Sequence, residues 1–302
     1  MDQPSANAEP TTEPSVLLRL RDGRVLSYLD LGAPDGRPLF HFHGHGSSRL
    51  EALVLDRAAR RAQVRVLAFD RPGIGRSDPK GGDRLLDWPA DIQEAADLLG
   101  IERFAVQGMS AGGPYALACA HALGERIQTC SLVSAVPPPE IARRSGPIMR
   151  QVAWWVAFLF PNYLRRRLQQ YRSDEPPSRE VLVARVKRMA QWLGGNDLSL
   201  IEDPALLDLL TRTLAETARQ TGAANRTEIE RLARSWGFKL REVRTPVLLW
   251  HGAKDRILPL APARLMARKL RHCAATYYPD DGHFSILVNH AEDLMRALQT
   301  AR

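Results

Sequence analysis

Ser110 stands at the centre of the segment GMSAG (108–112), which fits the pattern G-x-S-x-G. The segment lies between a predicted strand and a predicted helix that starts at Ala111, so the serine occupies a tight strand-to-helix turn. Side chains two residues before and after the serine would crowd this turn, and Gly108 and Gly112 remove both. Ser110 would then present an exposed hydroxyl nucleophile, and the Ala111 amide at the helix N-terminus would point at a developing oxyanion. The alternative is a glycine-rich helix cap that only packs tightly.

An acid and a histidine follow the serine in the order Ser, acid, His, each after a predicted strand. Asp255 lies in the loop after the strand at 246–250, and His283 lies in the loop after the strand at 275–279. Ser110 would attack, and His283 would take its proton and later return it to the leaving group. Asp255 would fix the tautomer of His283 and stabilise its cation. Taken singly, Asp255 fits a turn residue or a helix cap, and His283 fits a polar loop histidine.

These side chains need a sheet to position them, and both flanks of the chain predict one. Short apolar runs of β type alternate with segments of helical spacing from residue 16 to 135 and again after 246. This alternation predicts an α/β fold with a mostly parallel sheet flanked by crossover helices. The predicted strands are 16–20, 25–31, 38–42, 64–69, 103–107, 127–135, 246–250 and 275–279. The predicted helices are 53–62, 92–99, 111–123, 262–270 and 290–298.

The middle of the chain differs, because residues 139–240 contain no clear strand and repeat leucines at helical spacing. This pattern predicts a helical insert of about a hundred residues between two halves of one sheet. The predicted organisation is a disordered N-terminal tail over 1–14, a core over 15–138 and 241–302, and a helical lid or cap over 139–240.

With these motifs the chain resembles the α/β-hydrolase fold superfamily, in particular its lidded bacterial serine hydrolases and esterases. Three further segments carry the resemblance: HGHG (43–46), DRPGIGRS (70–77), which is similar to D-x-P-G-x-G-x-S, and HGAKDRILP (251–259). The resemblance covers the chain from about Val16 to its end. We interpret the 70–77 turn as structural, with glycines for positive φ and a proline for rigidity.

The resemblance also implies the second half of an oxyanion hole. It assigns one donor to the backbone N–H of His45, beside that of Ala111, in a loop whose glycines are Gly44 and Gly46. A serine nucleophile makes the Asp-dependent haloalkane dehalogenases and epoxide hydrolases of this fold poor matches. Proline iminopeptidases of the fold usually carry Trp after the serine, so Ala111 weakens that interpretation.

The histidines of HFHGH (41–45) allow a different chemistry. His41, His43 and His45 stand at alternate positions and would share one strand face, as a metal site requires. The sequence lacks the Asp-His continuation of the metallo-hydrolase motif that it superficially resembles, and Gly44 suggests that the strand has already ended. We therefore expect no metal, with His43 bracing the oxyanion loop and His45 lining the mouth of a pocket.

The candidate substrate pocket comprises Met109 and an apolar segment over 152–160 that contains Trp154, Trp155 and Phe158. This segment fits a helix buried between core and lid, or the roof of a pocket for an apolar acyl or aromatic group. Arginines at 165–167 allow a third interpretation, binding to an anionic membrane surface. We expect a substrate that presents an apolar group.

Composition and charge bound the function classes. The 302 residues are 44% apolar and 25% charged, as in ordinary globular proteins. The three cysteines fit neither a disulfide framework nor a zinc site. The longest apolar run is too short to span a membrane, and the N-terminus lacks a signal pattern, so we expect a cytoplasmic protein without an integral membrane segment.

The net charge of +8 is concentrated in the middle of the chain, where residues 139–245 contribute +7. Solvated arginine-rich helix faces account for this excess, and the alternative is a basic surface near a site that meets anionic substrate or lipid. No helix-turn-helix, finger or RNA-binding motif accompanies the charge, so we do not expect nucleic acid as a partner.

The sequence thus predicts a serine hydrolase that cleaves an ester or related acyl bond of a small-molecule substrate, through an acyl-Ser110 intermediate and without metal or organic cofactor. A carbon–carbon bond hydrolase or an acyltransferase could use the same Ser110, Asp255 and His283. The alternative from another class is a non-catalytic ligand-binding protein of the same fold.

Overall fold

The computed structural model describes residues 14–82, 84–143, 177–189, 192–220 and 223–300. These residues contain an eight-stranded sheet with the order β1-β2-β4-β3-β5-β6-β7-β8. Strand β2 is antiparallel to both of its neighbours, and the other neighbouring pairs are parallel. The strands are β1 Val16–Arg19, β2 Val25–Gly32, β3 Arg37–Phe42, β4 Val64–Phe69, β5 Phe104–Met109, β6 Ile127–Val133, β7 Val247–Gly252 and β8 Cys273–Tyr278. The predicted mostly parallel α/β sheet is confirmed.

Helices flank the sheet. They are α1 Asp56–Arg61, α2 Trp88–Leu98, α3 Gly112–Ala122, α4 Pro139–Ala142, α5 Arg179–Met189, α6 Asp197–Glu202, α7 Pro204–Ala218, α8 Ala223–Ala233, α9 Leu260–Lys269, α10 Ser285–Asn289 and α11 Ala291–Thr300. The predicted helix at 53–62 is in fact a 3₁₀ helix, Arg49–Leu55, followed by α1. Helix α2 begins earlier than its apolar spacing indicated, because Pro89 fits the first turn of a helix.

The sheet is covered on both faces, and this explains why its central strands are apolar along their whole length. Strand β5 is buried at every position. One apolar cluster joins the sheet to α2, α3 and α9, and a second joins it to α1, α10 and α11. In the first cluster Phe40 stacks on Phe104 with ring centroids 4.2 Å apart. All strands except β2 run in one direction, so their carboxyl ends lie together at one end of this covered sheet.

Between β6 and β7 the described residues form helices and no strand. Helix α7 begins at a cap in which Asp203 Oδ1 accepts the amide of Ala205 at 2.8 Å. It is tied to the core by Arg49, whose Nη1 lies 2.6 Å from Glu216 of α7 and 2.7 Å from Asp70. Residues 1–13 and the segment with Trp154, Trp155 and Phe158 lie outside the described residues. Across the part that is described, no helix is long and apolar enough to cross a membrane.

Candidate active site

Ser110 occupies a backbone conformation that side chains rarely adopt, with φ at +51° directly after β5. Three hydrogen bonds hold it there. The Ser110 amide donates to Val133 O at 2.9 Å, and the Ser110 carbonyl accepts from Val136 at 2.9 Å and Gly113 at 3.1 Å. Strain of this kind persists only where surrounding contacts determine the backbone. The serine therefore lies directly after the carboxyl end of the central strand β5, where the sequence pattern predicted it.

The two glycines that flank Ser110 are required by space. A Cβ atom on Gly108 would overlap the backbone of Gly112, and a Cβ atom on Gly112 would overlap the carbonyl of Phe42. The neighbours in both cases are backbone atoms, which cannot turn aside as a flexible side chain can. The sequence argument that a side chain at either position would crowd the turn agrees with this geometry.

Asp255 and His283 meet in a buried pair beside the ends of β7 and β8. The Nδ1 atom of His283 donates to Asp255 Oδ2 at 2.7 Å, and the two residues are 2% and 5% exposed respectively. The other oxygen, Asp255 Oδ1, accepts the amides of Ile257 at 2.8 Å and Leu258 at 2.7 Å. Because Nδ1 is bound to the carboxylate, Nε2 is the ring nitrogen left to exchange a proton.

The charges of this pair shift both pKa values toward the ionised forms. Burial alone would lower the pKa of His283, but the charge of Asp255 and their hydrogen bond raise it above the ordinary 6.5. Burial alone would likewise raise the pKa of Asp255, but His283 and the backbone amides hold it below the ordinary 3.8. Asp255 therefore remains a carboxylate at neutral pH.

We expect the His283 imidazole to titrate with a midpoint above pH 6.5, because its pKa is raised. Only the neutral ring accepts a proton, so any reaction that uses His283 as a base loses rate as the pH falls through this pKa. An NMR titration of the imidazole in the intact protein measures the midpoint. A midpoint at or below 6.5 would contradict the expected effect of the Asp255 charge.

Ser110 and His283 line the same cavity, which has a volume of about 270 Å³. Met109, also predicted as a pocket residue, lines it too. Among the described residues no hydrogen bond joins the Ser110 hydroxyl to His283. Such bonds are often long until a substrate is bound. The apolar wall includes three leucines of α7: Leu206, Leu210 and Leu214.

Two backbone amides have no partner among the described residues, one in the loop that borders the cavity and one in the residue that follows Ser110. Within the described part of the chain, the N–H groups of His45 and Ala111 donate to no acceptor. The neighbouring Gly44 amide is occupied, because it donates to both carboxylate oxygens of Glu51 at 3.1 and 3.2 Å. Gly44, His45 and Gly46 all border the cavity. This arrangement can stabilise a negative oxygen beside Ser110.

The side chains of the three histidines in the HFHGH segment contact three different partners. His41 Nε2 lies 3.1 Å from Glu51, His43 Nδ1 donates to Gly44 O at 2.8 Å, and His45 Nδ1 donates to Glu228 at 2.7 Å. No group of three or more His, Cys, Asp or Glu with metal-binding geometry occurs among the residues described. His43 braces the Gly44 carbonyl, and His45 borders the cavity.

The sequence interpretation missed a carboxylate that holds the loop of His283. Asp197, at the start of α6, accepts three successive amides, those of His283 at 2.6 Å, Phe284 at 2.9 Å and Ser285 at 2.8 Å. The segment GGND (194–197) carries the only local signal, since Gly194 allows close approach to the Asp255 loop and Gly195 to the His283 loop. Asp197 is fully buried and positions the backbone on which His283 stands.

The fold that carries this site also occurs in known proteins. A family profile described as alpha/beta hydrolase fold matches residues 37–290. The chain is 34% identical over 135 residues to a non-heme chloroperoxidase of Streptomyces lividans, covering 42% of this chain and 46% of that protein. It is 25% identical over 274 residues to a 2-hydroxymuconate semialdehyde hydrolase of Pseudomonas putida, covering 88% and 86% of the two chains.

Solved structures extend the likeness over nearly the whole chain. An esterase from Rhodococcus sp. matches with a TM-score of 0.69 at 20% identity, covering 95% of this chain and 99% of that one. At this identity the likeness concerns the fold. The first curated relatives, in contrast, are matched over only 30% to 46% of their own lengths.

Proposed function

Because the chain belongs to the α/β-hydrolase fold family, we propose that it is a serine hydrolase that cleaves an ester or related acyl bond. One observation carries the proposal. The buried Asp255–His283 pair, joined at 2.7 Å, faces the cavity in which Ser110 is held at φ +51°. A strained serine beside an oriented histidine is the arrangement that nucleophilic acyl transfer requires.

The proposed reaction has two halves. The Ser110 oxygen bonds to the acyl carbon while His283 Nε2 takes the serine proton, and the carbonyl oxygen receives the electron pair of its broken π bond. The N–H groups of His45 and Ala111 stabilise this oxyanion. Its collapse breaks the bond to the leaving alcohol, which receives the proton from His283. Water then attacks the acyl-Ser110 intermediate by the same route. These steps use only groups of this chain and water.

The helical segment 139–240 would serve as a lid over this site. Its described helices α5, α6 and α7 supply Val186, Leu200 and Leu210 to the cavity wall. Ser110 and His283, in contrast, belong to the two predicted core segments, 15–138 and 241–302. A wall of lid leucines opposite a core nucleophile supports a substrate whose apolar acyl group lies under the lid.

The charge of the cavity favours a neutral acyl group. Its described lining includes the carboxylates of Glu51 and Asp197 and no Lys or Arg. An anionic acyl group would therefore be desolvated beside like charge without a cationic partner.

A carbon–carbon bond hydrolase is a second candidate, because the match to the hydroxymuconate semialdehyde hydrolase spans 88% of this chain.

We expect the protein to hydrolyse neutral p-nitrophenyl esters with a kcat/KM that rises about fourfold per added methylene until the cavity is full. Each buried methylene contributes about 0.8 kcal/mol, and 1.36 kcal/mol corresponds to a factor of ten. An ester of equal length that ends in a carboxylate should react at least about tenfold more slowly. Steady-state kinetics of the series, with Ser110→Ala as the blank, measure both effects.

The same series separates the candidate functions. If the wild type binds apolar ligands but hydrolyses the esters no faster than Ser110→Ala, the protein is a non-catalytic binding protein. Preference for the carboxylate ester would contradict the expected preference for a neutral acyl group. An acyltransferase would form product esters when a second alcohol is added.

A further inference from the structure

The peptide between Gly44 and His45 carries the N–H group that would bind the oxyanion. Hydrogen bonds to the carbonyl group of the same peptide set the orientation of this peptide. The Gly44 carbonyl accepts from His43 Nδ1 at 2.8 Å and from Arg71 Nη2 at 3.3 Å. In a trans peptide the C=O and N–H groups point in opposite directions. Donors that hold this carbonyl therefore also direct the His45 N–H away from themselves, and His45 borders the cavity.

Arg71 reaches this peptide from the turn at 70–77, which the sequence analysis interpreted as structural. Its guanidinium also donates to the carbonyl of His43, so one planar fork holds two successive carbonyls of the loop. The side chain is 3% exposed, and its guanidinium carbon lies 4.8 Å from the centroid of the Tyr115 ring. The face of an aromatic ring attracts a cation at this distance, which adds to the contacts that hold the guanidinium.

Glu228 of α8 holds Arg71 in place. Its Oε1 atom lies 2.8 Å from Arg71 Nε and 2.6 Å from Arg71 Nη2, and its Oε2 accepts from His45 Nδ1 at 2.7 Å. Burial alone would raise the pKa of Glu228, but the Arg71 charge and the His45 hydrogen bond lower it to about 2. The carboxylate is therefore ionised at neutral pH and pairs with a buried cation.

Neither Arg71 nor Glu228 lines the described cavity, so neither is in a position to touch a substrate there. Arg71 and Glu228 instead contact Gly44 and His45, in the loop that borders the cavity. A second contact from the same helical segment reaches this loop, because Thr217 of α7 donates to Gly46 O at 3.2 Å. Helices that lie between β6 and β7 thus contact this loop at two places, His45 and Gly46.

We propose that Arg71 and Glu228 are positioning residues that orient the Gly44–His45 peptide, so that the oxyanion hole is complete only when α8 is seated on the core. The inference rests on the proposed function, since it assigns the oxyanion donor of that same reaction. It makes the lid a part of the catalytic apparatus as well as a cover. Lid closure and activation of the oxyanion hole would be one event.

The test compares Glu228→Gln with Glu216→Gln in the full-length chain. Both replace a buried carboxylate that pairs a helix of the 139–240 segment with a buried core arginine, but Glu216 does not contact the 43–46 loop. We expect Glu228→Gln to lower kcat roughly 10- to 100-fold, as partial loss of one oxyanion donor would. KM for the best neutral ester should change less than about threefold, because the loss concerns the transition state.

A trifluoromethyl ketone with the same acyl chain provides the second measurement. Ser110 adds to its carbonyl and forms a tetrahedral adduct with a negative oxygen, so its affinity reports the oxyanion hole directly. We expect this affinity to fall by the same factor as kcat in Glu228→Gln and by less than about threefold in Glu216→Gln.

Arg71→Lys provides a variant that retains the cation for Glu228 but replaces the fork with a single point donor. In Arg71→Lys, kcat and the affinity for the ketone should fall by the same factor as each other. Near-ultraviolet circular dichroism shows whether each variant is folded. If folded Glu228→Gln and Arg71→Lys behave as Glu216→Gln does, or change KM alone, the inference is wrong and the proposed function stands. If the wild type hydrolyses no ester, the proposed function fails and the inference fails with it.

Discussion

Replacement of Ser110 by alanine is expected to lower kcat for the best ester by a factor of about 10⁶, with His283→Ala losing a comparable factor. The hydroxyl and the imidazole act in one proton transfer, so either alone leaves the same residual reaction. The double variant should therefore lose no more than the single ones. What activity persists would come from substrate binding and from the amides of His45 and Ala111. Steady-state kinetics and single-turnover kinetics of the three variants measure these factors.

Labelling with a fluorophosphonate probe identifies the nucleophile independently of any substrate. The wild type should be labelled at Ser110, and Ser110→Ala should not be labelled at all. Ser47→Ala changes another serine of the same cavity and should retain the label, which makes it the matched control. In the kinetic measurements, a fall in kcat of less than about tenfold in His283→Ala would mean that another base takes the Ser110 proton.

The parts of this site that could be predicted from sequence are those encoded locally. The strand-to-helix turn of Ser110 is specified by two glycines within five residues, and each glycine excludes a backbone overlap. Strand β5 is apolar throughout because both faces are covered, so its run of residues predicts a central strand. Strand β8 begins at Cys273, two residues before its predicted start at Ala275, because alanine is a weak strand former and Ala274 gives no strand signal.

Contacts between distant polar side chains could not be predicted in this way. Glu228 lies 157 residues from Arg71, and Asp197 lies 86 residues from His283. Each is one of many acidic residues in a helical segment, and helical periodicity does not say which of them will be buried against a core arginine or amide. The sequence assigned the turn of Arg71 to structure alone. Only the folded chain reveals that this turn touches the loop at 43–46.

Replacement of Asp255 by asparagine is expected to lower kcat by about 10⁴, although the new side chain has nearly the same shape. The reason lies in the two unequal oxygens of Asp255. Oδ1 accepts two backbone amides, so the amide oxygen of the Asp255→Asn variant must remain there, and its NH₂ group then faces His283 Nδ1. Nδ1 must become an acceptor, which moves the ring proton to Nε2, where the Ser110 proton should arrive.

The same substitution should also move the pH dependence of the reaction. The Asp255 charge opposes the effect of burial on the pKa of His283, and without it the pKa falls. The acid limb of kcat/KM should therefore shift to lower pH in Asp255→Asn, a change that a merely structural defect would not produce. Asp280→Asn is the matched control, because Asp280 lies in the loop of His283, is exposed, and among the described residues pairs only with Lys254 of the Asp255 loop, at 2.8 Å. Its kcat should stay within about twofold of the wild type. Equal losses in the two variants would mean that these two neighbouring loops require acidic residues in general, and that the orientation of His283 does not depend on Asp255 in particular.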